Sequence, residues 1–99
     1  MAAIDPSQFK ALHKYFPDLT LTQLATAYMY STGIPVGTIA QLRDVSEDTV
    51  KDSLKAACHR MHLTSISTMG TAIQLKLSLE LLIAIDTLQP NQILDSQFN

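Results

Sequence analysis

Asp44-Val45-Ser46-Glu47-Asp48-Thr49-Val50-Lys51-Asp52-Ser53-Leu54 reads as a tight turn, a helix N-cap and the opening of an amphipathic helix. Ser46 suits the cap, because its hydroxyl can accept a bond from an otherwise unpaired backbone N–H. Glu47 and Asp48 follow in the first turn, where negative charge meets the positive end of the helix dipole. Val50, Leu54, Ala57 and Met61 recur at spacings of four, three and four and form one stripe to be buried. Lys51, Asp52 and Lys55 are left facing outward. The pattern is that of the second half of a helix-turn-helix, whose second helix enters a DNA major groove. Any amphipathic helix after a turn shares part of it, so an ordinary packed helix stays open as a reading of these residues alone.

Working outward, each flanking segment carries its own start and stop signals. Asp5-Pro6 opens a first helix, with Asp as N-cap, Pro at the first helical position and Gln8 three residues past the cap. Phe9, Leu12 and Phe16 supply its apolar face, and Pro17 stops it. Thr20 caps a second helix, and Gln23 completes a capping-box pattern. Leu24, Ala27, Tyr28 and Ser31 mark its inward side, and Gly33 is a natural terminator. A short helix from about Pro35 or Val36 to Leu42 buries Val36, Ile39 and Ala40. The helix that follows the quoted turn spans about residues 47–61.

The last segment is ambiguous by pattern. Leu75-Lys76-Leu77-Ser78-Leu79-Glu80-Leu81 alternates strictly, which is the period of a half-buried strand. Leu, Lys and Glu are nevertheless helix formers, and β-branched residues are few here. No second strand is evident to pair with it, and a lone strand would leave its backbone groups unsatisfied. The expectation is therefore one long helix over about residues 68–88, ended by Pro90. Residues 91–99 form a frayed tail in which Ile93, Leu94 and Phe98 are able to dock.

From residue 19 to about residue 63 the chain resembles, without a gap, the C-terminal DNA-binding domain of the LuxR/FixJ/GerE family of bacterial transcription regulators. Leu19-Thr20, Gly33, Ile39-Ala40, Val45-Ser46 and Thr49-Val50-Lys51 with Leu54 carry the resemblance. It implies an all-α, LuxR-type helix-turn-helix bundle, here with an added N-terminal helix and a long C-terminal one. Carried over position by position, Lys51, Asp52 and Lys55 match base-facing positions. Ser46 matches the cap that meets phosphate, and Thr49 and Arg60 match backbone contacts. Lysine can donate to guanine O6 or N7, and aspartate can accept from cytosine N4. A solvated helix face is the plain alternative for all three outward residues.

The chain departs from the family pattern at several places. Gly37 and Gln41 fall where polar or basic groups usually approach the backbone, and Pro35 replaces a small polar cap. Arg43 stands where a core leucine is usual, and Asp44 where glycine usually makes the turn. Between Ser46 and Leu63, Lys51, Lys55 and Arg60 are balanced by Glu47, Asp48 and Asp52, so the net charge of the face is zero. Few phosphate contacts mean little counterion release, so a single copy is expected to bind DNA weakly.

Composition argues against a strong nonspecific nucleic-acid binder and leaves a specific one open. The 99 residues suit one small domain, with 46% hydrophobic residues, 16% charged, a net charge of −2 and a pI near 5.8. A strong nonspecific binder normally carries a large basic excess. The single Cys58 has no partner for an internal disulfide and reads as a buried, reduced thiol in a reducing cytoplasm. The N-terminus shows no basic region before an apolar segment, as a secretory signal would. The apolar stretch over residues 73–85, broken by Lys76, Ser78 and Glu80, reads as too short to span a bilayer.

His13, His59 and His62 raise a metal reading. His59 and His62 are three apart, but no Cys, Asp or Glu at complementary spacing completes a set. No nucleophile motif, phosphate-cradling glycine loop or carboxylate pair stands out. Neither a cofactor nor an enzymatic activity is expected. The expectation is a small cytoplasmic bacterial regulator that inserts the helix over residues 47–61 into double-stranded DNA as a homodimer, or as a heterodimer with a related regulator. Family domains of this type dimerise through a short fourth helix, and here that segment looks about twice as long. Met69, Ile73, Leu77, Leu81, Ala84 and Leu88 form one seam on it, and Ala72, Leu75, Leu79 and Leu82 a second. Ile73, Leu77, Leu79, Leu81 and Leu82 are the expected dimer contacts, with the first helix covering whichever seam stays within the monomer. The rival expectation is an interaction module, a helix-turn-helix whose DNA face has decayed and which now binds another regulator. A structural or assembly subunit using the last helix alone would leave the turn-helix pattern unexplained.

Overall fold

A computed structural model describes residues 2–88, and every regular element in that span is helical. A 3-10 helix, Pro6–Tyr15, is followed by α1 Leu21–Ser31, α2 Val36–Arg43, α3 Glu47–Arg60 and α4 Ile66–Leu88. Pro90 and the docking residues Ile93, Leu94 and Phe98 lie outside the described residues.

The helix starts follow the chemistry of their caps. Asp5 accepts from the Ser7 N–H at 2.9 Å, and the Asp5 N–H donates to Gln8 Oε1 at 2.7 Å. Hydrogen bonding from Ser7, its backbone N–H first, holds the Asp5 carboxyl below the usual carboxylate range. The first helix is nevertheless of the 3-10 type. Phe9, Leu12 and Tyr15, all half-buried, recur every three residues and so line up on one edge of a helix with three residues per turn. Thr20 and Gln23 exchange a full capping box at the start of α1. Ser65 Oγ accepts from the Thr68 N–H at 3.3 Å, so α4 begins at Ile66, two residues earlier than the sequence pattern predicts.

Three helices end in the same way. Gly33, Asp44 and His62 have φ of 94°, 55° and 59°, the left-handed conformation that closes a helix. In each case the next residue donates back five positions, Ile34 to Met29, Val45 to Ala40 and Leu63 to Cys58, at 3.4, 3.0 and 3.0 Å. Ile34, Val45 and Leu63 then fold onto the core. Each turn is thereby pinned by a hydrogen bond and an apolar contact together.

α1 is the hub, packed by the 3-10 helix, α3, α4 and, more lightly, α2. Leu24, Ala25, Thr26, Ala27 and Met29 are buried, so α1 is enclosed on more sides than its apolar stripe suggests. The expected stripe of α3 is realised in Val50, Leu54 and Ala57, joined by Cys58, while Met61 is only half-buried. The Cys58 thiol donates to the Leu63 carbonyl at 3.0 Å. Val36 is half-buried, and Ile39 and Ala40 are the core residues of α2.

Arg43 is the one charged side chain drawn into this packing between α2 and α1. Its Nη1 donates to Thr26 Oγ1 at 2.6 Å, while its Nε is buried without a hydrogen-bond partner. Loss of solvent pushes the pKa of the guanidinium down. Arginine at this position thus leaves a local defect in the bundle.

α4 divides into two halves. Met69, Gly70 and Ile73 are buried, and Gly70 sits where a Cβ would lie 3.5 Å from Ser31 Cα, which lets α1 and α4 approach closely. Gln74 donates to Ser31 Oγ at 2.8 Å across the same contact. Ile73, expected at a dimer contact, is fully buried in the monomer and cannot serve there. Leu77 is half-buried against the core and contributes to the bundle first. α1 covers Met69 and Ile73 of this seam, and the 3-10 helix faces its continuation, where Leu12 and Tyr15 line one cavity with Leu77, Leu81 and Ala84. From Leu79 onward, by contrast, most of the α4 surface stands clear of the body, with Glu80 and Ala84 alone half-buried. The principal extents of 55 × 32 × 21 Å and radius of gyration of 16.2 Å exceed the roughly 13 Å of a compact chain this long. The full helix of 23 residues is long and apolar enough to cross a membrane by length and composition, so shortness does not argue against a span.

Candidate nucleic-acid interface

α2 and α3 are joined by the three residues Asp44, Val45 and Ser46. Asp44 turns the chain, Val45 anchors it on the core, and Ser46 caps α3 by accepting from the Thr49 N–H at 3.1 Å. The Ser46 and Thr49 hydroxyls are also in contact at 2.9 Å. Both hydroxyls are exposed at the start of α3, where its N-terminal N–H groups and dipole favour an anion. Glu47 and Asp48 stand in the same turn.

Burial of Val50, Leu54 and Ala57 fixes which way the rest of the helix faces. Thr49, Lys51, Asp52 and Lys55 are all exposed. At about 100° per residue, Lys51 and Lys55 lie roughly 40° apart on one flank, with Asp52 about 60° beyond Lys55. Asp48 and His59, both exposed, fall between Lys55 and Asp52. The middle of the outward face thus holds Asp48, Asp52, Lys55 and His59, two carboxylates against one lysine. In sequence Asp48 stands out as a capping charge and as part of the face's charge balance, and His59 as a metal candidate. The helical angle, measured from the buried stripe, was the signal for both.

Arg60 does not join this group. It lies about 140° round the helix from Lys55, and its Nη1 donates to the Asp18 carbonyl at 3.5 Å. There it lines a small cavity of about 230 Å³ with Tyr15, Phe16, His62 and Lys76. Ser46, Thr49, Lys51, Asp52 and Lys55 therefore share the first three turns of α3, while Arg60 belongs to another surface. On the α2 side a shallow groove is bordered by Gly37, Thr38, Gln41 and Glu47, which adds no positive charge.

The histidines separate in space. His13 Nε2 donates to the Leu19 carbonyl at 2.6 Å and ties the first helix to the start of α1. His59 is on α3, whereas His62 has left the helix in the left-handed turn, so the two do not share helical spacing. Among the described residues no group of three or more His, Cys, Asp or Glu side chains is placed to hold a metal ion.

Comparison with protein-family models, with curated proteins and with solved structures finds no match to this chain.

Proposed function

We propose that this chain is a small DNA-binding transcription regulator of LuxR-like helix-turn-helix type, acting in the cytoplasm as a dimer. α3 enters the major groove of double-stranded DNA. Lys51, Lys55 and Asp52 meet base edges there, and Ser46 and Thr49 meet phosphate. The observation that carries the reading is the three-residue turn between α2 and α3, together with the phase of α3. Its core-facing residues Val50, Leu54 and Ala57 are buried, and Thr49, Lys51, Asp52 and Lys55 of its first three turns are exposed. Membrane insertion of α4 is not part of the proposal, since it would pull Met69, Gly70 and Ile73 out of the bundle. Arg60 plays no part in the α3 contact set on this geometry.

The test is titration of the wild type, Lys51→Ala and Lys55→Ala against genomic fragments at low salt. Each substitution is expected to weaken specific binding by about 1–3 kcal/mol with the fold intact. A folded wild type that shifts no fragment would defeat the reading. The second reading is a protein-interaction module built on the same helices. Asp48 and Asp52 at the centre of the outward face favour it, because carboxylates repel phosphate. Asp52→Lys separates the two. On the module reading it raises nonspecific DNA affinity and steepens its salt dependence. On the DNA reading, with Asp52 reading cytosine, it erases preference for the native site.

A further inference from the structure

Along its outer side α4 carries a seam that the described residues leave exposed beyond the half-buried Ala72. Ala72, Leu75, Leu79 and Leu82 recur at spacings of three, four and three, and Asp86 continues the series after four more. Leu75 is 59%, Leu79 50% and Leu82 62% exposed. Ile83 and Ile85 flank the seam on its two sides and are exposed as well. At about 100° per residue the seam lies opposite Met69, Ile73 and Leu77, the residues that face the body. Alternation of three and four is the register in which two helices interlock their side chains.

We propose that α4 pairs antiparallel with α4 of a second copy of this chain, with Leu79 of each copy seated against Leu82 of the other. The proposal deepens, and rests on, the dimeric part of the proposed function and is independent of whether α3 binds DNA. Charge decides both the partner and the direction. In a parallel, in-register pair Asp86 of one copy faces Asp86 of the other. The nearest cation on that side of the helix is then Lys76, ten residues or about 15 Å away along the axis. In the antiparallel pair Asp86 lies beside Leu75 and Lys76 of the second copy, and two-fold symmetry makes that contact twice. Lys76 is available for it, since its Nζ rests 5.7 Å from the centre of the Phe16 ring rather than on a carboxylate. Its stem passes over Ile83 of the second copy, which covers one of the two flanking isoleucines.

Sedimentation of the full chain and disulfide trapping test the proposal together. The wild type is expected to sediment as a dimer at tens of micromolar, and Leu79→Glu to weaken association at least tenfold with helical content unchanged. Asp86→Lys weakens the dimer about fivefold through repulsion from Lys76, and adding Lys76→Asp restores it. Leu75→Cys and Asp86→Cys, mixed and oxidised, form a mixed disulfide. Neither cross-links to itself, because like positions lie about 16 Å apart along the antiparallel pair. Cys58 is buried, and the wild type serves as the control for it. A monomeric wild type overturns the proposal, and so does Leu75→Cys cross-linking to itself. A dimer that shifts no DNA fragment bears on α3 alone and leaves this pairing standing.

Discussion

The two halves of α4 are comparably apolar and meet opposite fates. Met69 and Ile73 are sealed against α1, while Leu75, Leu79, Leu81, Leu82, Ile83, Ile85 and Leu88 stand in solvent, Leu88 at 80% exposure. Both halves read from sequence as surfaces that need burial, and among the described residues the first is sealed while the second stays largely bare. Composition sets the tendency to be covered, whereas the geometry of the neighbouring elements sets what does the covering. α1 ends at Ser31, and among the described residues the 3-10 helix approaches the second half on one side alone, that of Leu77, Leu81 and Ala84.

Substitutions on the two halves put the comparison at risk, and the largest effect is expected at Ile73. Ile73→Ala opens a cavity at the α1–α4 contact and is expected to cost about 3–4 kcal/mol in urea unfolding. Leu82→Ala, measured at concentrations where the chain is monomeric, is expected to cost less than about 0.5 kcal/mol. Equal losses would mean that the second half is packed after all. Gly70 sharpens the same boundary. Gly70→Ala places a methyl at ordinary contact distance from Ser31 and leaves stability unchanged or slightly raised. Gly70→Leu forces the helices apart at about 1–3 kcal/mol. The same leucine at Ser78, on the exposed half, is expected to change monomer stability little.

Arg43 is the converse of the exposed leucines, a charge where the body offers apolar packing. Arg43→Met removes the unpartnered Nε and is expected to stabilise the fold by about 1–2 kcal/mol, read as a higher urea midpoint. Thr26 can turn its hydroxyl to its own helix when the guanidinium is gone. The smallest expected effect is at the end of α3. His62→Gly relieves a side chain held at positive φ and is expected to add about 0.5–1 kcal/mol, less if the histidine contacts its surroundings. An unchanged melting curve would show that the left-handed turn carries no strain worth relieving.

Local chemistry made much of this fold legible in advance. Asp5-Pro6, Thr20 with Gln23, Gly33 and Ser46 each act within four residues, so their capping bonds do not depend on the rest of the chain. The apolar phase of α3 likewise fixed which of its residues face out. The 3-10 form of the first helix was less legible, because a capping box and an apolar edge suit both helix types over ten residues. Ala25, Thr26 and Met29 were missed because they are buried by elements on other sides of α1. Arg60 was assigned to the α3 face by position, yet its place is set by the 16–19 turn that the bundle brings alongside. Ile73 was assigned to a dimer seam because a heptad-like spacing looks the same whether the partner is another chain or the preceding helix.

By itself the sequence determined that this chain is helical, where three of its helices begin, and which side of α3 is withheld from solvent. Those properties follow from hydrogen bonds and periodicity within a few residues. Only the tertiary structure decided that α1 is enclosed on several sides, that Arg43 is half-buried with an unsatisfied nitrogen, and that α4 is covered along one half and bare along the other. Those outcomes depend on which distant elements arrive beside a given face, and a local pattern can state that a face needs cover without stating what supplies it.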